Sequence, residues 1–464
     1  MKHKILLLLT IALTAGLTFG QQVTITSSMR SIVSKTESFG LHKYPISFWN
    51  YTNIGEHGKY MTKAEVASWA EAGFTVPQSP GFDVNSKEQK RHIIKLLDWA
   101  EKYGMKLIVS DPRGDAKMGI DGNPDKDYAD GIRAAVKDFG SHPALFGFQV
   151  GDEPDSAHKN VFFECYRIQK EVAPFLHPFS NLLPYFPGIE KRAGTNNWPD
   201  YLDEYARKSN ADMVGYDCYA QMNPGDEGWN DYYRNLKLYR EASLRNGIPF
   251  WNTILSVGHF RYRVPDLDEV RWQFNTSLAS GANGIVWFFY YMREPHGNYR
   301  LSPVDEFWKK TQLYYDLQHV QNSFHRRYHD LFNNLVSTRL CFTGKNYGDG
   351  EWFTADDLIS SITVTRDKNS NKKSDKPLLI GEFVNMHGQR YVMFVNNSMT
   401  ESNRFYIRFP KDVKTFSWDW DGKEYEGAAY CSEAIITEAD GEKLHELWLA
   451  PGQEAVYRVA FEIR

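Results

Sequence analysis

Eight short apolar runs rich in β-forming residues recur along the first two thirds of the chain. They cover residues 45–49, 74–77, 105–110, 145–150, 178–183, 213–219, 249–255 and 284–291. Their starts lie about 30 to 40 residues apart, which is the length of one strand, one helix and two loops. Near-continuous apolar strands that alternate with helices are typical of a parallel sheet covered on both faces. The spacing therefore predicts an α/β fold with eight strand–helix units.

Helical patterns fill the gaps between these runs. Residues 62–72 begin with a Thr62 cap followed three residues later by Glu65, which predicts a capping box. Further helices are predicted at residues 87–103, 128–139, 161–172, 201–208, 229–245 and 270–279, and a long final helix from Ser302 to about Leu331. No glycine-rich phosphate turn follows the first run, so a closed (β/α)8 TIM barrel is favoured over a doubly wound open sheet.

The sequence pattern changes at about Asn334. Short runs at residues 362–364, 378–384, 389–396, 404–408, 413–418 and 454–459 alternate with turn signals and predict an antiparallel β-sandwich. We therefore assign residues 21–333 to the barrel and residues 334–464 to a small all-β sandwich domain. Such a domain can bind sugar, but we expect it to brace the barrel, since a fold alone does not define a function.

The first twenty residues have the form of a signal peptide. A charged start at residues 2–4 precedes an apolar run at residues 5–17 that is too short to span a bilayer, and residues 18–20 favour cleavage before Gln21. No cysteine lies near that point, which argues against a lipoprotein anchor. No later run reaches eighteen apolar residues. We expect a secreted or periplasmic protein with no membrane span after cleavage of the signal.

Charge and motif content exclude several classes of function. The net charge of -4 argues against nucleic acid as a partner, because phosphate binding needs a basic surface. The chain contains no HExxH, paired CxxC, GxSxG, P-loop or dinucleotide motif, so we expect neither a metal nor a cofactor. The four cysteines are widely spaced, and we expect isolated thiols.

The fourth apolar run ends in an acidic pair, Asp152-Glu153, followed by Pro154. The carboxyl ends of barrel strands meet at one mouth, where the active sites of such barrels lie. A partly buried carboxyl group there has a raised pKa, as a general acid that protonates a glycosidic oxygen requires. The pair could instead simply face the dipole of the next helix. The barrel geometry favours a catalytic role for Glu153.

This segment resembles the (β/α)8 glycoside hydrolases of the β-galactosidase and endoglucanase superfamily, whose acid/base glutamate ends the fourth strand in an Asn-Glu-Pro motif. The resemblance implies a glycoside hydrolase of oligo- or polysaccharides with Glu153 as its general acid/base. Asp152 stands where the superfamily has the asparagine that binds the sugar's 2-hydroxyl. Adjacent aspartate and glutamate are also similar to hexosaminidases, in which the aspartate orients a substrate acetamido group.

The second catalytic carboxylate has two candidates. The same superfamily carries a nucleophilic glutamate after the seventh strand, but residues 249–259 contain no carboxylate. Asp217 ends the sixth run and Glu294 follows the eighth, and we favour Asp217 because it lies nearer to its strand end. With Asp152 as a substrate-positioning group, the predicted catalytic set is Glu153, Asp217 and Asp152. A catalytically inactive sugar-binding protein and a substrate-assisted hexosaminidase remain as alternatives.

Aromatic and polar side chains at the strand ends predict a carbohydrate substrate. The chain has 13 Trp, 27 Tyr and 29 Phe, and aromatic faces pack well against the C–H faces of sugars. A few polar groups then recognise the hydroxyls. The predicted substrate-binding residues are Trp49, Asn50, Asp111, Tyr185, Tyr216, Tyr219, Trp251 and Asn252. For Trp49 and Trp251, packing in the core is an equally good interpretation.

Overall fold

A computed structural model of the protein describes residues 23–293, 298–368, 375–427 and 429–461. The predicted signal peptide, residues 1–20, lies outside these ranges. Within them, parallel strands occur in the order and at the places that the apolar runs predict. They are β1 Ile46–Phe48, β2 Leu107–Val109, β3 Leu145–Asp152, β4 Phe179–Leu182, β5 Val214–Asp217, β6 Phe250–Leu255 and β7 Gly284–Phe288.

These strands form one sheet in the order β1-β7-β6-β5-β4-β3-β2, and residues 74–79 close it. The Thr75 N–H donates to the Ile46 carbonyl in β1 (3.0 Å), and the Ile108 N–H in β2 donates to the Pro77 carbonyl (3.1 Å). Because Pro77 has no N–H to donate, the series of backbone hydrogen bonds is interrupted at this second strand position of the barrel. The predicted (β/α)8 barrel is confirmed, with β3, β4, β5 and β6 at its fourth to seventh positions.

Within the described residues, helices surround the sheet, eight of them at predicted places and three at places that were not predicted. They are α1 Ser27–Ser38, α2 Ile54–His57, α3 Lys63–Glu71, α4 Lys87–Lys102, α5 Tyr128–Phe139, α6 Lys159–Val172, α7 Ile189–Ala193, α8 Trp198–Ser209, α9 Trp229–Asn246, α10 Leu267–Ala279 and α11 Gln312–Tyr328. The predicted capping box is only half formed. Thr62 accepts from the Glu65 N–H, but the Glu65 carboxylate accepts from the hydroxyl of Tyr291 instead of returning to the cap.

The predicted final helix is too long at its start. It begins at Gln312, and residues 302–311 form a loop across the eighth barrel position. The Val304 N–H donates to the Tyr290 carbonyl (3.0 Å), and Val304 also pairs with Lys310. Backbone pairing with the strand end replaces the hydrogen bonds that a helix would make within itself. The tertiary contact therefore overrides the local helical pattern.

The remainder of the described chain folds as two packed antiparallel sheets. A 3-10 helix at Leu331–Asn334 precedes them, and the sheet orders are β10-β13-β17-β16 and β15-β14-β18-β12-β11-β8-β9. The predicted sandwich is confirmed, although several of its strands were not predicted. The strands are β8 Val336–Thr343, β9 Glu351–Trp352, β10 Ser361–Thr363, β11 Leu378–Val384, β12 Arg390–Asn396, β13 Asn403–Phe409, β14 Val413–Trp418, β15 Glu424–Glu426, β16 Ser432–Thr437, β17 Lys443–Leu449 and β18 Glu454–Phe461.

The sandwich packs on the outer face of α10, along a boundary that we call the seam. Buried Trp272 of α10 donates its indole N–H to the Asn397 side-chain carbonyl (2.8 Å), and the Tyr233 hydroxyl donates to the same oxygen. The Asn275 amide donates to the Gly452 carbonyl (2.9 Å). These buried contacts agree with a bracing role for the sandwich.

All four cysteines are free thiols, as expected. Among the helices of the described ranges, none is long and apolar enough to cross a membrane.

The seam predicts an unequal cost for two glycine substitutions in the sandwich. Gly452 and Gly388 have similar positive φ angles, 63° and 77°, so alanine costs about 1 kcal/mol at each through backbone strain. A Cβ on Gly452 would collide with the main chain of Trp272, whereas a Cβ on Gly388 meets nothing within 4 Å. We expect Gly452→Ala to lose a further ~2 kcal/mol or more in urea unfolding. Equal losses would contradict the tight seam.

Candidate active site

The structure brings the three predicted carboxylates together at one side of the barrel mouth. Asp152 is the last residue of β3, Glu153 follows it, and Asp217 ends β5. Glu153 has a φ of 42°, in the left-handed region that a non-glycine residue adopts only at a cost. Its N–H donates to the carbonyl of Asn181 in β4 (2.9 Å), which holds this sharp turn in place.

Asn181 joins two of the three carboxylates. Its side-chain N–H groups donate to Asp217 Oδ1 (2.7 Å) and to Asp152 Oδ1 (3.0 Å). Both bonds start from one nitrogen, so the two acceptor oxygens lie within about 6 Å of each other, close enough for strong mutual repulsion. The hydroxyl of Thr253 donates to Asn181 Oδ1 (3.3 Å) and thereby fixes which end of the amide faces the carboxylates.

The environment raises the pKa of all three carboxyl groups. Burial raises the pKa of Asp217 to about 7, and the charge of Glu153 adds to the effect, while the hydrogen bond from Asn181 opposes it. The side chain of Asp152 is open to solvent at the mouth but enclosed by protein on its other sides. Burial and then the charge of Asp217 raise its pKa to about 7. The groups therefore titrate together, and the cluster holds a proton near neutral pH.

Glu153 forms an ion pair with Arg192. Burial and then the charge of Asp152 raise the pKa of Glu153, and Arg192 lowers it. The Arg192 guanidinium donates to Glu153 Oε2 at 3.3 Å from α7, a short helix that was not predicted. The Glu153 side chain keeps 31% of its surface exposed, so a ligand entering the mouth can reach the carboxyl group.

An uncharged aromatic wall occupies the side of the mouth where the superfamily has its nucleophile. The Tyr219 ring stacks on Phe288 (centroids 5.7 Å apart) and meets Tyr262 edge-on (5.3 Å). His259 packs against Phe288 (5.2 Å), and burial lowers the pKa of His259 to about 4, so it is neutral. No Asp or Glu lies between β6 and Tyr262 in the sequence. The other candidate, Glu294, lies outside the described residues.

The aromatic surface at the first strand comes from Tyr51 and not from Trp49. Trp49 is buried, and its ring stacks under Tyr51 (6.0 Å, 12°), which has 38% of its surface exposed. The Arg293 guanidinium lies 4.1 Å from the centre of the Tyr51 ring. Burial raises the pKa of Tyr51, and the charges of Asp152 and Asp217 add to it, which places this hydroxyl beside the carboxylates.

Three predicted substrate-binding residues lie in the interior instead. Trp251 is fully buried inside the barrel, Asn252 donates to Ser277 Oγ of α10 (2.8 Å), and Tyr216 stacks on Tyr239 of α9 (3.8 Å). Successive strand residues face opposite sides of a sheet, so Tyr216 faces the helices because Asp217 faces the mouth. The structure does not bring these three side chains to the carboxylates of the mouth.

Two further predicted residues have structural roles. Asp111 is fully buried and binds Arg113 through both carboxylate oxygens (2.9 and 2.7 Å). Asn50 is also buried, and its side-chain carbonyl accepts from Thr52 (2.7 Å) while its amide donates to the Gln78 carbonyl (3.2 Å). Their polar groups make hydrogen bonds within the protein, and substrate contact by these two residues stays a prediction.

Tyr185 lies away from the carboxylates, in a side groove. It packs against Trp198 (5.6 Å) and below the guanidinium of Arg234 (6.0 Å). The groove has an open volume of about 730 Å³ and also borders Gly348 of the sandwich. Of the predicted aromatic contacts, Tyr219 is the one whose surroundings include a catalytic candidate, Asp217.

The groups that could hold a metal ion lie elsewhere in the described part of the chain. Glu438, Asp440 and Glu442 have ligand atoms within reach of one ion. Lys368 already pairs with this surface cluster.

Comparisons with known proteins relate the chain to glycoside hydrolases through its fold. No family model and no curated protein matches it. A β-galactosidase from Bacillus circulans sp. alkalophilus is similar, with a TM-score of 0.55 and 10% identity over 91% of this chain and 99% of that one. A family 5 glycoside hydrolase from Bacteroides vulgatus has a TM-score of 0.53 and 11% identity, over 90% and 89% of the two chains.

A third similar structure is the β-galactosidase of psychrophilic Marinomonas ef1. Its TM-score is 0.45 at 11% identity, over 62% of this chain, which spans 60% of that enzyme's length. At these identities, the two higher-scoring likenesses show the fold. The protein is thus a (β/α)8 barrel with a C-terminal β-sandwich.

The bridging position of Asn181 predicts a shift in the titration of the carboxylates. Its two donated hydrogen bonds favour the ionised forms of Asp152 and Asp217, so Asn181→Ala should raise both apparent pKa values above those of the wild type. Carboxyl ¹³C NMR across pH measures them. Ser180→Ala, in the outward-facing neighbour of Asn181, is the control and should leave them unchanged. An unshifted titration in Asn181→Ala would contradict the bridge.

Proposed function

We propose that this protein is an exported glycoside hydrolase that cleaves oligo- or polysaccharides, with Glu153 as the general acid. The observation that carries the proposal is the cluster of Asp152, Glu153 and Asp217 at the mouth of the barrel. Three neighbouring carboxyl groups repel one another when ionised, and this repulsion destabilises the fold. A need for these groups in glycosidic hydrolysis would explain why they lie together. One group must arrive protonated and another ionised for that reaction.

In the proposed reaction, the Glu153 carboxyl group gives its proton to the glycosidic oxygen as the bond from that oxygen to the anomeric carbon breaks. A water molecule attacks the anomeric carbon, and its proton passes to the Asp217 carboxylate. Asp152 stabilises the positive charge that develops on the sugar or orients the substrate. A proton returns from Asp217 to Glu153 through solvent, so each turnover consumes one water molecule and restores both groups.

The aromatic wall favours inversion over a covalent intermediate. A retaining enzyme needs a carboxylate nucleophile against the anomeric carbon. Tyr219, His259 and Phe288 supply no such group on the seventh-strand side. We therefore assign Asp217 to the activation of water.

Export belongs to the same proposal and rests on residues 1–20. The N-terminal sequence of the mature protein, expected to begin at Gln21, tests it.

A substrate-assisted hexosaminidase is the second candidate. Two observations favour it, namely the adjacent Asp152 and Glu153 and the lack of a carboxylate in the aromatic wall. In that mechanism the acetamido group of the substrate replaces the nucleophile, and Asp152 would orient it. Activity on N-acetylated aryl glycosides with none on their plain-hydroxyl counterparts would select this candidate.

The role of Glu153 predicts a dependence on the leaving group. Glu153→Gln should slow hydrolysis of oligosaccharides about 10²- to 10⁴-fold, since a poor leaving group needs the proton. A dinitrophenyl glycoside departs without one and should be affected far less. Initial rates on both kinds of substrate measure the difference, and Glu164→Gln on α6 is the control. Equal losses on both would exclude Glu153 as the acid.

The configuration of the product separates the inverting hydrolase from its alternatives. Anomer-resolved NMR of the first product should show inverted configuration in the wild type, whereas a retained configuration would exclude Asp217 as the base for direct water attack. No turnover of oligosaccharides or polysaccharides by the wild type would leave the inactive sugar-binding protein as the remaining interpretation.

The electrostatics of the cluster predict the pH profile. Activity should fall as pH rises through the pKa of Glu153, which burial and the charge of Asp152 raise above its ordinary value, because the acid is protonated only below that pKa. Arg192 lowers the pKa of Glu153, so Arg192→Gln should move this descending limb to higher pH. The dependence of kcat/KM on pH measures the limb. Lys191→Gln, its exposed neighbour, should leave the limb in place, and an unmoved limb in Arg192→Gln would contradict the pairing.

A further inference from the structure

A second pocket lies at the seam, between the barrel helices and the sandwich. Its cavity volume is about 210 Å³, and the pocket opens to solvent on one side. One wall comes from α10 and α11 and the other from three loops of the sandwich. It shares no lining residue with the carboxylate cluster of the mouth. The lining side chains include Arg271, Asn275, His319, Ser323, Trp420 and Tyr430.

Two exposed aromatic rings form the sandwich side of this pocket. Trp420 lies in the turn between β14 and β15, and Tyr430 precedes β16. They keep 45% and 36% of their surfaces exposed, and their ring centres are 6.1 Å apart with the planes tilted by 39°. Large aromatic surfaces that face one cavity and remain open to water are the usual platform for the apolar face of a sugar ring.

The floor of the pocket is polar, and its positive and negative side chains are paired with one another. Arg327 and Glu454 are buried and form an ion pair (2.5 Å), and the Asn275 amide donates to Glu454 Oε2 (2.7 Å). At the rim, Arg271 pairs with Asp268. The paired charges leave no net attraction for an anion, so the floor favours a neutral ligand with hydroxyl groups.

The side chain of Arg327 in this floor is closely packed by its neighbours. Arg327 Nε is buried and has no hydrogen-bond acceptor within the part of the chain that the structure describes. A buried donor without an acceptor costs about 1–3 kcal/mol. The Arg327 guanidinium lies 4.4 Å from the centre of the Tyr430 ring and 5.4 Å from the centre of the Trp420 ring, which holds both aromatic side chains in place.

We propose that the seam pocket binds a neutral sugar unit of a polysaccharide, with Trp420 and Tyr430 as its stacking platform. The carbohydrate class of the ligand rests on the proposed function, whereas the geometry of the pocket does not. The sandwich then has a second role besides bracing the barrel, because it holds a polymer at a place separate from the mouth.

Affinity electrophoresis tests the pocket in the full-length chain. Native gels contain one of four neutral polysaccharides, namely lichenan, galactan, arabinoxylan or galactomannan. Every variant also carries Glu153→Gln, so that the gel is not cleaved. Trp420→Ala is compared with Trp448→Ala, whose indole is 46% exposed in β17 and lies under Arg404 on another face of the sandwich.

We expect at least one polysaccharide to retard the parent chain, and Trp420→Ala to bind it about tenfold more weakly, which corresponds to ~1.4 kcal/mol. Trp448→Ala should bind like the parent. Ser323→Phe fills the pocket from α11 without touching the aromatic pair and should weaken binding in the same way. Thermal melting of each variant confirms folding.

Two results would contradict the proposal that the seam pocket binds a sugar unit. One is the absence of retardation by all four polysaccharides. The other is equal binding by folded Trp420→Ala, Ser323→Phe and Trp448→Ala, which would place all affinity at the mouth or elsewhere. Hydrolysis by the chain with intact Glu153 is measured separately, so failure of the pocket and failure of the proposed hydrolase are distinguishable.

Discussion

The alternation of side chains along the strands of a closed barrel is the constraint on which the whole site depends. Each strand places every second residue inside, and the strands meet at one mouth, so β3, β4, β5 and β6 contribute Asp152, Asn181, Asp217 and Thr253 to one layer. The neighbouring carboxylates of Asp152 and Asp217 would repel each other if nothing compensated their charges. Asn181 reduces this repulsion by donating one N–H of its side-chain amide to each carboxylate, and the hydrogen bond from Thr253 fixes the orientation of that amide.

The same alternation explains what the sequence could and could not predict. The repeat of apolar runs predicted the barrel, and an acidic pair directly after the fourth run identified Asp152 and Glu153. Within a run, residue type did not show which side a residue faces, so Tyr216 and Asn252 were assigned to the mouth although they face the helices. Fixing the parity from Asp217 would have excluded Tyr216, and Asn181 was recognisable as a polar residue within the apolar fifth strand.

Other features depend on contacts between residues that are distant in the sequence. The loop before α11 pairs with the end of the eighth strand position, which no local pattern of helix formers could show. Arg192 reaches Glu153 from a five-residue helix too short for a periodic signal. The seam likewise joins Trp272 and Asn397, which are separated by 125 positions. Their positions follow from the way the barrel and sandwich pack together.

The left-handed backbone at Glu153 places chemistry and stability in opposition. A side chain at φ 42° is strained, and glycine or asparagine would occupy that conformation at a lower cost. Mutual repulsion within the carboxylate cluster adds to this conformational cost. The residue proposed to act on the substrate is therefore one whose replacement would relax the fold. Selection for heat resistance alone would tend to remove it, whereas selection for turnover would have to retain it against the preference of the backbone.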